Sequence, residues 1–531
     1  MRIEQGALFL LVLLYIIVAN AHAGLAPLTT GPDELAHYEY VNFIAEHGHL
    51  PLNSAERSQA AYKSDQPPLY HLIAALPASL VDTTGPPYLK RYSDNERRPL
   101  IEQTRHAWGL HNTEDEYPPY RSEVWRWHIG RWVSIIFGAA AIIVTYFIAR
   151  GVPFPPVDIG PSLPRQLLER IILALGAAAV VAFIPRFALT GSMLNYETAL
   201  AFFAALFLWQ LLKISKAEAE NPQFIIHNPE PTPSNLQSPV SNYQLPITNL
   251  LLLGLFTGLA ITTKLSALIL PFEAVVGLAL IARHYGWPWP RWLRAVAITA
   301  TATLVTVSWW FGFVIYQFNT VTEDGWWTGL LRPLIAADAS DATTNRLLSF
   351  LTGGQAGFTA AIDNLESGPP WQWLTTIYRT FWIVGIEGQQ PLGLVGLLIA
   401  LTLCLIAVFG LIRLWQLAAA SRQQLADSGQ QIAVSHQPSV VSGQRSATHL
   451  QSPISNLQPS IINYQLSIIN YQLLLLSLAA AFILPLIRYA ATFSLADTAQ
   501  GRHILFLAAP AFAILLVWGF TAAIRQLSII H

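Results

Sequence analysis

The chain has 531 residues, of which 53% are hydrophobic and 11% charged, whereas an average soluble domain carries about 25% charged residues. So few charges cannot cover a water-facing surface of this size, and a net charge of −1 without a basic stripe argues against nucleic acid as a partner. The single cysteine, Cys404, lies in an apolar run, which excludes a disulfide framework and a thiolate metal cluster.

The apolar residues are gathered into runs long enough to cross roughly 30 Å of hydrocarbon. They predict an all-α polytopic membrane protein of about ten spans: Ala7–His22, Ile129–Arg150, Arg170–Phe187, Met193–Leu212, Asn249–Thr263, Leu265–Arg283, Ala295–Phe318, Leu392–Trp415, Leu473–Thr492 and His503–Ile524. The first run followed by Ala19-Asn20-Ala21 or Ala21-His22-Ala23 has the form of a signal peptide. Retention as a span is the preferred reading, because the densest polar motif follows immediately. Basic residues cluster at alternate span ends, near Arg150/Arg165/Arg170, Lys213/Lys216, Arg283/Arg291/Arg294 and Arg413/Arg422, with Arg2 and Arg525 at the termini. The positive-inside rule then places those ends and both termini in the cytoplasm, for a multi-pass protein of the cytoplasmic membrane. Two long loops are left outside, residues 25–128 and 319–391.

Two stretches, 221–248 and 430–472, are expected as low-complexity cytoplasmic insertions. Leu236-Gln237-Ser238-Pro239-Val240-Ser241-Asn242-Tyr243-Gln244 recurs as Leu450-Gln451-Ser452-Pro453-Ile454-Ser455-Asn456-Leu457-Gln458, and Ile-Asn-Tyr-Gln-Leu occurs at 462–466 and again at 469–473. Such polar tracts bury too little to offset their ordering entropy and are expected to be flexible.

The chemistry-bearing residues sit mostly in the first loop. Pro32-Asp33-Glu34-Leu35-Ala36-His37-Tyr38 brings two carboxylates and a histidine to the outer end of the first span. A carboxylate there suits general-base work; equally, Asp33 can cap a helix that begins with Glu34. Lys63-Ser64-Asp65-Gln66-Pro67-Pro68-Leu69-Tyr70 follows, with an apolar helix along the membrane expected after the double proline. Gln500-Gly501-Arg502-His503 opens the last span on the same side. Its glycine permits close backbone approach, and its arginine can grip a phosphate or snorkel to lipid head groups. Lys264, between two apolar spans, lies too deep for an ordinary anchor, and charges at such depth usually face a cavity. A divalent cation would fit the Asp33/Glu34 pair, but no histidine cluster with metal spacing calls for one.

The order of these motifs, an acidic pair after the first span, Pro-Pro-Leu-Tyr in the same loop, Thr263-Lys264 in the middle and Gln-Gly-Arg before a late span, resembles the GT-C class of membrane glycosyltransferases. That class includes the protein mannosyltransferases and the lipid A aminoarabinose transferase. The resemblance implies transfer of a sugar from a polyprenyl-phosphate carrier to a protein, lipid or glycan acceptor on the non-cytoplasmic face, with inversion. It implies Asp33 as general base with Glu34 in support. Arg502, Lys264 and Lys63 would hold the donor phosphate, and His37, Gln66, Pro67, Pro68, Tyr70 and Gln500 would shape the donor and acceptor pocket. The residue before Pro-Pro is often basic in this class and here is Gln66. The rival reading is a transporter or lipid flippase, but the paired, Gly/Pro-interrupted repeats usual in transporters are not found.

Overall fold

The computed structural model describes residues 2–29, 31, 33–83, 116–153, 163–220, 246–321, 370–382, 398–413, 416, 454–492 and 501–530. Within these it is helical throughout, with no strand among the described residues. The helices are α1 (Arg2–Leu25), α2 (Glu34–His47), α3 (Ser54–Gln59), α4 (Leu69–Ala78), α5 (Ser122–Gly151), α6 (Leu163–Phe183), α7 (Pro185–Gly191), α8 (Glu197–Ala219), α9 (Ile247–Thr263), α10 (Leu270–His284), α11 (Trp289–Val321), α12 (Pro370–Trp382), α13 (Leu398–Arg413), α14 (Ile454–Thr492) and α15 (Arg502–Ile530).

A helix stands at each of the ten expected spans. Seven are long and apolar enough to cross a membrane, and the bent pair α6/α7 makes an eighth. The helices α9 and α13 are apolar but shorter. The α6/α7 span, expected as one helix from Arg170 to Phe187, bends by 61° between Phe183 and Pro185. Pro185 removes a backbone donor and drives Ile184 into an extended conformation. Only the part of the 430–472 insertion from residue 454 onward is described, and it is helical as the first half of α14. Leu466, Ile469, Leu473 and Leu474 fall on one buried stripe at helical spacing, which is enough to hold the polar repeat in a helix. The remainder of that stretch, residues 221–245 and most of 319–391 lie outside the described residues.

Helix α8 is the most enclosed span, packed against α5, α9, α14 and α15. Against α9 lies α11. Gly254 and Gly258 of α9 face it, where an added methyl would stand 2.6 Å from Ala302 Cβ and 2.7 Å from Thr306 Cγ2 respectively. Without a hydrophobic driving force between helices in lipid, such small-residue seams allow close van der Waals packing. Thr303 uses the proximity to donate to the Gly254 carbonyl at 3.2 Å.

The first loop builds a second apolar core of its own. Tyr38, Tyr40, Val41 and Phe43 of α2 pack with Tyr70 and Ala74 of α4, with Trp127 at the start of α5, and with Leu194 and Tyr196 before α8. Arg126 pins this core to α5 by donating to the carbonyls of Ala78 and Val81 and to Asn42 Oδ1. The result is a rigid platform at one end of the bundle. Residues Arg150 and Lys216, at the far ends of α5 and α8, stand about five turns away, roughly 28 Å, one hydrocarbon thickness.

With Cys404 replaced, single cysteines at Glu56 on the platform and at Glu220 beyond the far end of α8 should label oppositely in intact cells. A membrane-impermeant maleimide should modify the first and spare the second; equal labelling would refute the topology.

Candidate functional site

The site is assembled around residues 31–34. Glu34 is fully buried, and Arg131 of α5 grips it with two parallel bonds, Nε to Oε1 at 2.7 Å and Nη2 to Oε2 at 2.9 Å. The backbone N–H groups of Leu194 (3.0 Å) and Gly31 (3.2 Å) also donate to this carboxylate. Arg131 spends its other donors on the carbonyls of Ala23, Ala26 and Pro27 at the end of α1. Burial alone would raise the Glu34 carboxyl's pKa, but the Arg131 charge and these hydrogen bonds outweigh it and lower it. Glu34 is thus a fully satisfied internal anchor with no face toward solvent.

Asp33 points the other way. It stands at the N-cap position of α2 in the left-handed region, φ 59° and ψ 12°, and its side chain makes no capping bond. This conformation costs a non-glycine residue about 1–2 kcal/mol, and the clamp on Glu34 holds it in place. The carboxylate is 35% exposed; Lys63 Nζ donates to Oδ2 at 2.9 Å, and Arg502 Nη2 lies 4.0 Å away.

Lys63, from the 3₁₀ turn Tyr62–Asp65, is almost wholly buried and also donates to the Tyr196 hydroxyl at 3.3 Å. Burial disfavours its ammonium, but Tyr196 and Asp33 prevail and its pKa is raised. Lys264 occupies an extended break between α9 and the 3₁₀ turn Leu265–Ile269. It donates to Glu197 Oε1 at 2.6 Å and approaches His503 Nδ1 at 3.3 Å. Both lysines lie over the Tyr196 ring, 5.4 and 4.9 Å from its centroid. Arg502, at the first turn of α15, is directed inward between Asp33 and Glu197, 3.9 Å from Glu197 Oε1. Arg186 of α7 is buried close to both Arg502 and Glu197. Asp33, Lys63, Lys264 and Arg502, far apart in sequence, therefore converge with three groups that the motifs did not reveal: Tyr196, Glu197 and Arg186. Among the described residues four cations, largely buried, gather here around Glu197 and the partly exposed Asp33, an arrangement that favours an anion.

The remaining expected site residues are placed as follows. Gln66, Pro67 and Pro68 are buried beside the Lys63 turn. Tyr70 turns into the α4–α5 interface, bonding Ser134 Oγ (2.7 Å) and the Gly130 carbonyl (3.2 Å). Its role in the structure is to seat α4. Gln500 lies outside the described residues. Gly501 meets protein backbone: its N–H donates to Thr380 Oγ1 of α12 at 2.7 Å, and an added methyl would stand 2.6 Å from Phe381 Cα. Among the described residues no three histidine, cysteine or carboxylate groups gather with metal-binding geometry.

His37 sits behind Lys63, its Nδ1 hydrogen-bonded to His71 Nε2 at 2.9 Å and its ring edge-on to Tyr196. Burial first, and the Lys63 charge second, press both imidazoles toward the neutral form. His37 is lowered well below its usual 6.5, and His71 to about 3.

No family model matches the chain, and no curated protein does. Among solved structures it is similar to the archaeal oligosaccharyltransferase AglB from Archaeoglobus fulgidus in complex with an inhibitory peptide and a dolichol-phosphate. The match has 12% identity and a TM-score of 0.39, over 98% of this chain and 51% of that one. An Archaeoglobus fulgidus oligosaccharyltransferase tethered to an acceptor peptide gives 10% identity and a TM-score of 0.44, over 98% and 50%. ArnT from Cupriavidus metallidurans bound to undecaprenyl phosphate gives 14% and 0.37, over 98% and 78%. The chain spans about half the length of the two oligosaccharyltransferase structures. Identities this low leave the chemistry to be argued from the site's own residues.

Two outcomes follow from the buried charges. Arg131→Met strands the Glu34 carboxylate and should destabilise the protein by about 3–5 kcal/mol, whereas Arg131→Met with Glu34→Leu should recover much of that loss. Unfolding in detergent followed by tryptophan fluorescence measures both, and a double variant no more stable than the single would contradict the ion-pair account. For the histidines, the unfolded chain takes up protons below its ordinary value of 6.5, which folded His71 refuses until about 3. Their contribution is therefore complete above about 6.5 and lost as the pH falls between those values. The melting temperature should drop from about pH 7 to about pH 4, and less steeply in His71→Phe; equal slopes would absolve the pair.

Proposed function

We propose that the chain is a membrane glycosyltransferase. It moves a sugar from a polyprenyl-phosphate carrier to an acceptor hydroxyl on the non-cytoplasmic face, with inversion, and Asp33 is the general base. The observation that supports this most directly is the charge arrangement. One partly open carboxylate, Asp33, borders a buried group of cations, Lys63, Lys264, Arg186 and Arg502, with Glu197 set among them.

A lipid-phosphate leaving group already carries the activation. The protein has to place the acceptor, accept one proton and stabilise the departing phosphate. In the proposed step the acceptor oxygen attacks the anomeric carbon as Asp33 takes its proton. The carbon–oxygen bond to phosphate breaks, and its electron pair leaves with the phosphate toward Arg502 and Lys264. Asp33 suits the base role better than Glu197, because Glu197 is buried on Lys264 while Asp33 is open on one side. Lys63 orients the Asp33 carboxylate through its hydrogen bond to Oδ2, and Glu34, locked to Arg131, fixes the backbone from which Asp33 projects. Attack opposite the phosphate in a single displacement gives inversion. The bundle end that carries the platform is the one that the distribution of basic residues assigns to the non-cytoplasmic side, where a lipid-linked sugar would be met.

Transfer from a radiolabelled polyprenyl-phosphate sugar, measured with the reconstituted protein, tests this reading. Asp33→Asn should bind the donor normally while its turnover falls by about 10²–10⁴-fold, the scale of general-base assistance. Near-normal turnover in Asp33→Asn would displace the base. Movement of the donor across the bilayer by wild-type protein without transfer would favour the transporter reading instead.

A further inference from the structure

Glu197 occupies an unusual position for a buried carboxylate. It has Lys264 on Oε1 at 2.6 Å, Arg502 at 3.9 Å from the same oxygen, and Arg186 close by. Its other oxygen, Oε2, is buried with no hydrogen-bond partner, and so is Nε of Arg502. A separation of 3.9 Å is too long for a hydrogen bond. The guanidinium, only 14% exposed, is therefore held between two carboxylates without a close bond from Nε to either. A buried acceptor and a buried donor left this way beside two further cations form a place where the oxygens of an anionic ligand would find partners. Contrast Arg131, which meets Glu34 through two bonds under 3 Å. Evolution of a purely structural ion pair would be expected to reach that geometry; Arg502 and Glu197 do not.

We infer that Glu197 is a built-in counter-anion that holds Lys264 and Arg502 in the empty site, and that the phosphate of an isoprenyl-phosphate ligand displaces it from them. This deepens, and rests on, the lipid-phosphate reading given above. A phosphate monoester or diester offers oxygens that match the arginine fork and a lysine point charge better than one carboxylate oxygen shared at unequal distances. The cations would otherwise stand uncompensated in a largely dry site, which is unfavourable. An internal anion removes that penalty and at the same time competes with the ligand. The competition weakens apparent affinity by the fraction of molecules in which the cations are released. For an enzyme whose product is the bare lipid phosphate, such competition promotes product departure: as the phosphate leaves, Glu197 closes on Lys264 again. Glu197 acts here through the two cations and touches no reacting atom, which makes it a positioning residue.

The test uses farnesyl phosphate as probe, with farnesol as the uncharged control, on purified full-length protein in detergent. Binding is measured by titration calorimetry and melting temperature with and without probe. In Glu197→Gln the competing charge is gone, so farnesyl phosphate should bind roughly tenfold tighter or more. The empty variant should melt lower than wild type, and the probe should raise its melting temperature by more than it raises that of wild type. Glu197→Asp, which keeps the charge but withdraws it by one methylene, should shift affinity the same way by a smaller factor, and it decides the matter if the glutamine variant does not fold. If wild type binds the probe and Lys264→Gln and Arg502→Gln weaken that binding, but the Glu197 variants bind equally or more weakly, Glu197 is an anchor for Lys264 and the inference fails alone. If wild type does not distinguish farnesyl phosphate from farnesol, the lipid-phosphate reading fails and takes the inference with it.

Discussion

The bidentate pair between Glu34 and Arg131 is the contact on which the rest of the site depends. Four segments that do not follow one another in sequence meet there: the end of α1 through its carbonyls, the start of α2 through Glu34, α5 through Arg131, and the turn before α8 through the Leu194 N–H. Taking both charges out of water is expensive, and their attraction repays this only if the remaining donors and acceptors are also satisfied. Here they are, by two backbone N–H groups on the carboxylate and three carbonyls on the guanidinium. The geometry that satisfies them also fixes Asp33 in the left-handed conformation one residue before Glu34, and sets Tyr196 and Glu197 two and three residues beyond Leu194. The placement of the site thus follows from the needs of a neighbouring ion pair.

The helix bundle contributes what the pair cannot, which is the buried cations. The broken α6/α7 span brings Arg186 inward, the unwound segment between α9 and α10 delivers Lys264, and the first turn of α15 delivers Arg502. Each interruption of helix in the apolar region leaves backbone groups that need partners, and such interruptions are tolerated where the chain is buried in protein or lines a cavity. Both interruptions, and the start of α15, bring their cations to the same site. Cations placed this way interact more strongly with an anion than they would on a wet surface.

Much of this was legible in the sequence, and the unread part has identifiable physical reasons. The apolar runs located the seven or eight helices long enough to cross a membrane, because hydrocarbon thickness imposes a length that few other constraints mimic. Asp33, Lys63, Lys264 and Arg502 stood out because a charge beside an apolar run demands an explanation. Arg131 was hidden because it lies inside the span expected to begin at Ile129, where a single arginine reads as an end-flanking charge. Glu197 was missed because the span was drawn from Met193, four residues before the helix begins, which placed this carboxylate inside an apolar run. Arg186 was obscured by a span drawn straight through Pro185, although the restriction that proline places on Ile184 was a usable sign of the break. The histidine pair joins residues 37 and 71 across two helices, and no local pattern encodes that contact.

Two kinds of buried charge therefore coexist within a few residues of each other, and their difference is informative. The Glu34 and Arg131 groups make close, complete hydrogen bonds, and such networks rigidify a structure. The Arg502 and Glu197 groups sit at 3.9 Å with one buried polar atom on each lacking a hydrogen bond, and the same low dielectric makes that incompleteness unfavourable. A fold that satisfies one pair so thoroughly has the means to satisfy the other. That it does not places the incompleteness among properties the site retains, because a cation already saturated by its own protein has nothing to offer a ligand. The well-made pair keeps the poorly made one from relaxing, since the backbone bearing Asp33 and Glu197 is held from behind by Glu34, Arg131 and Leu194.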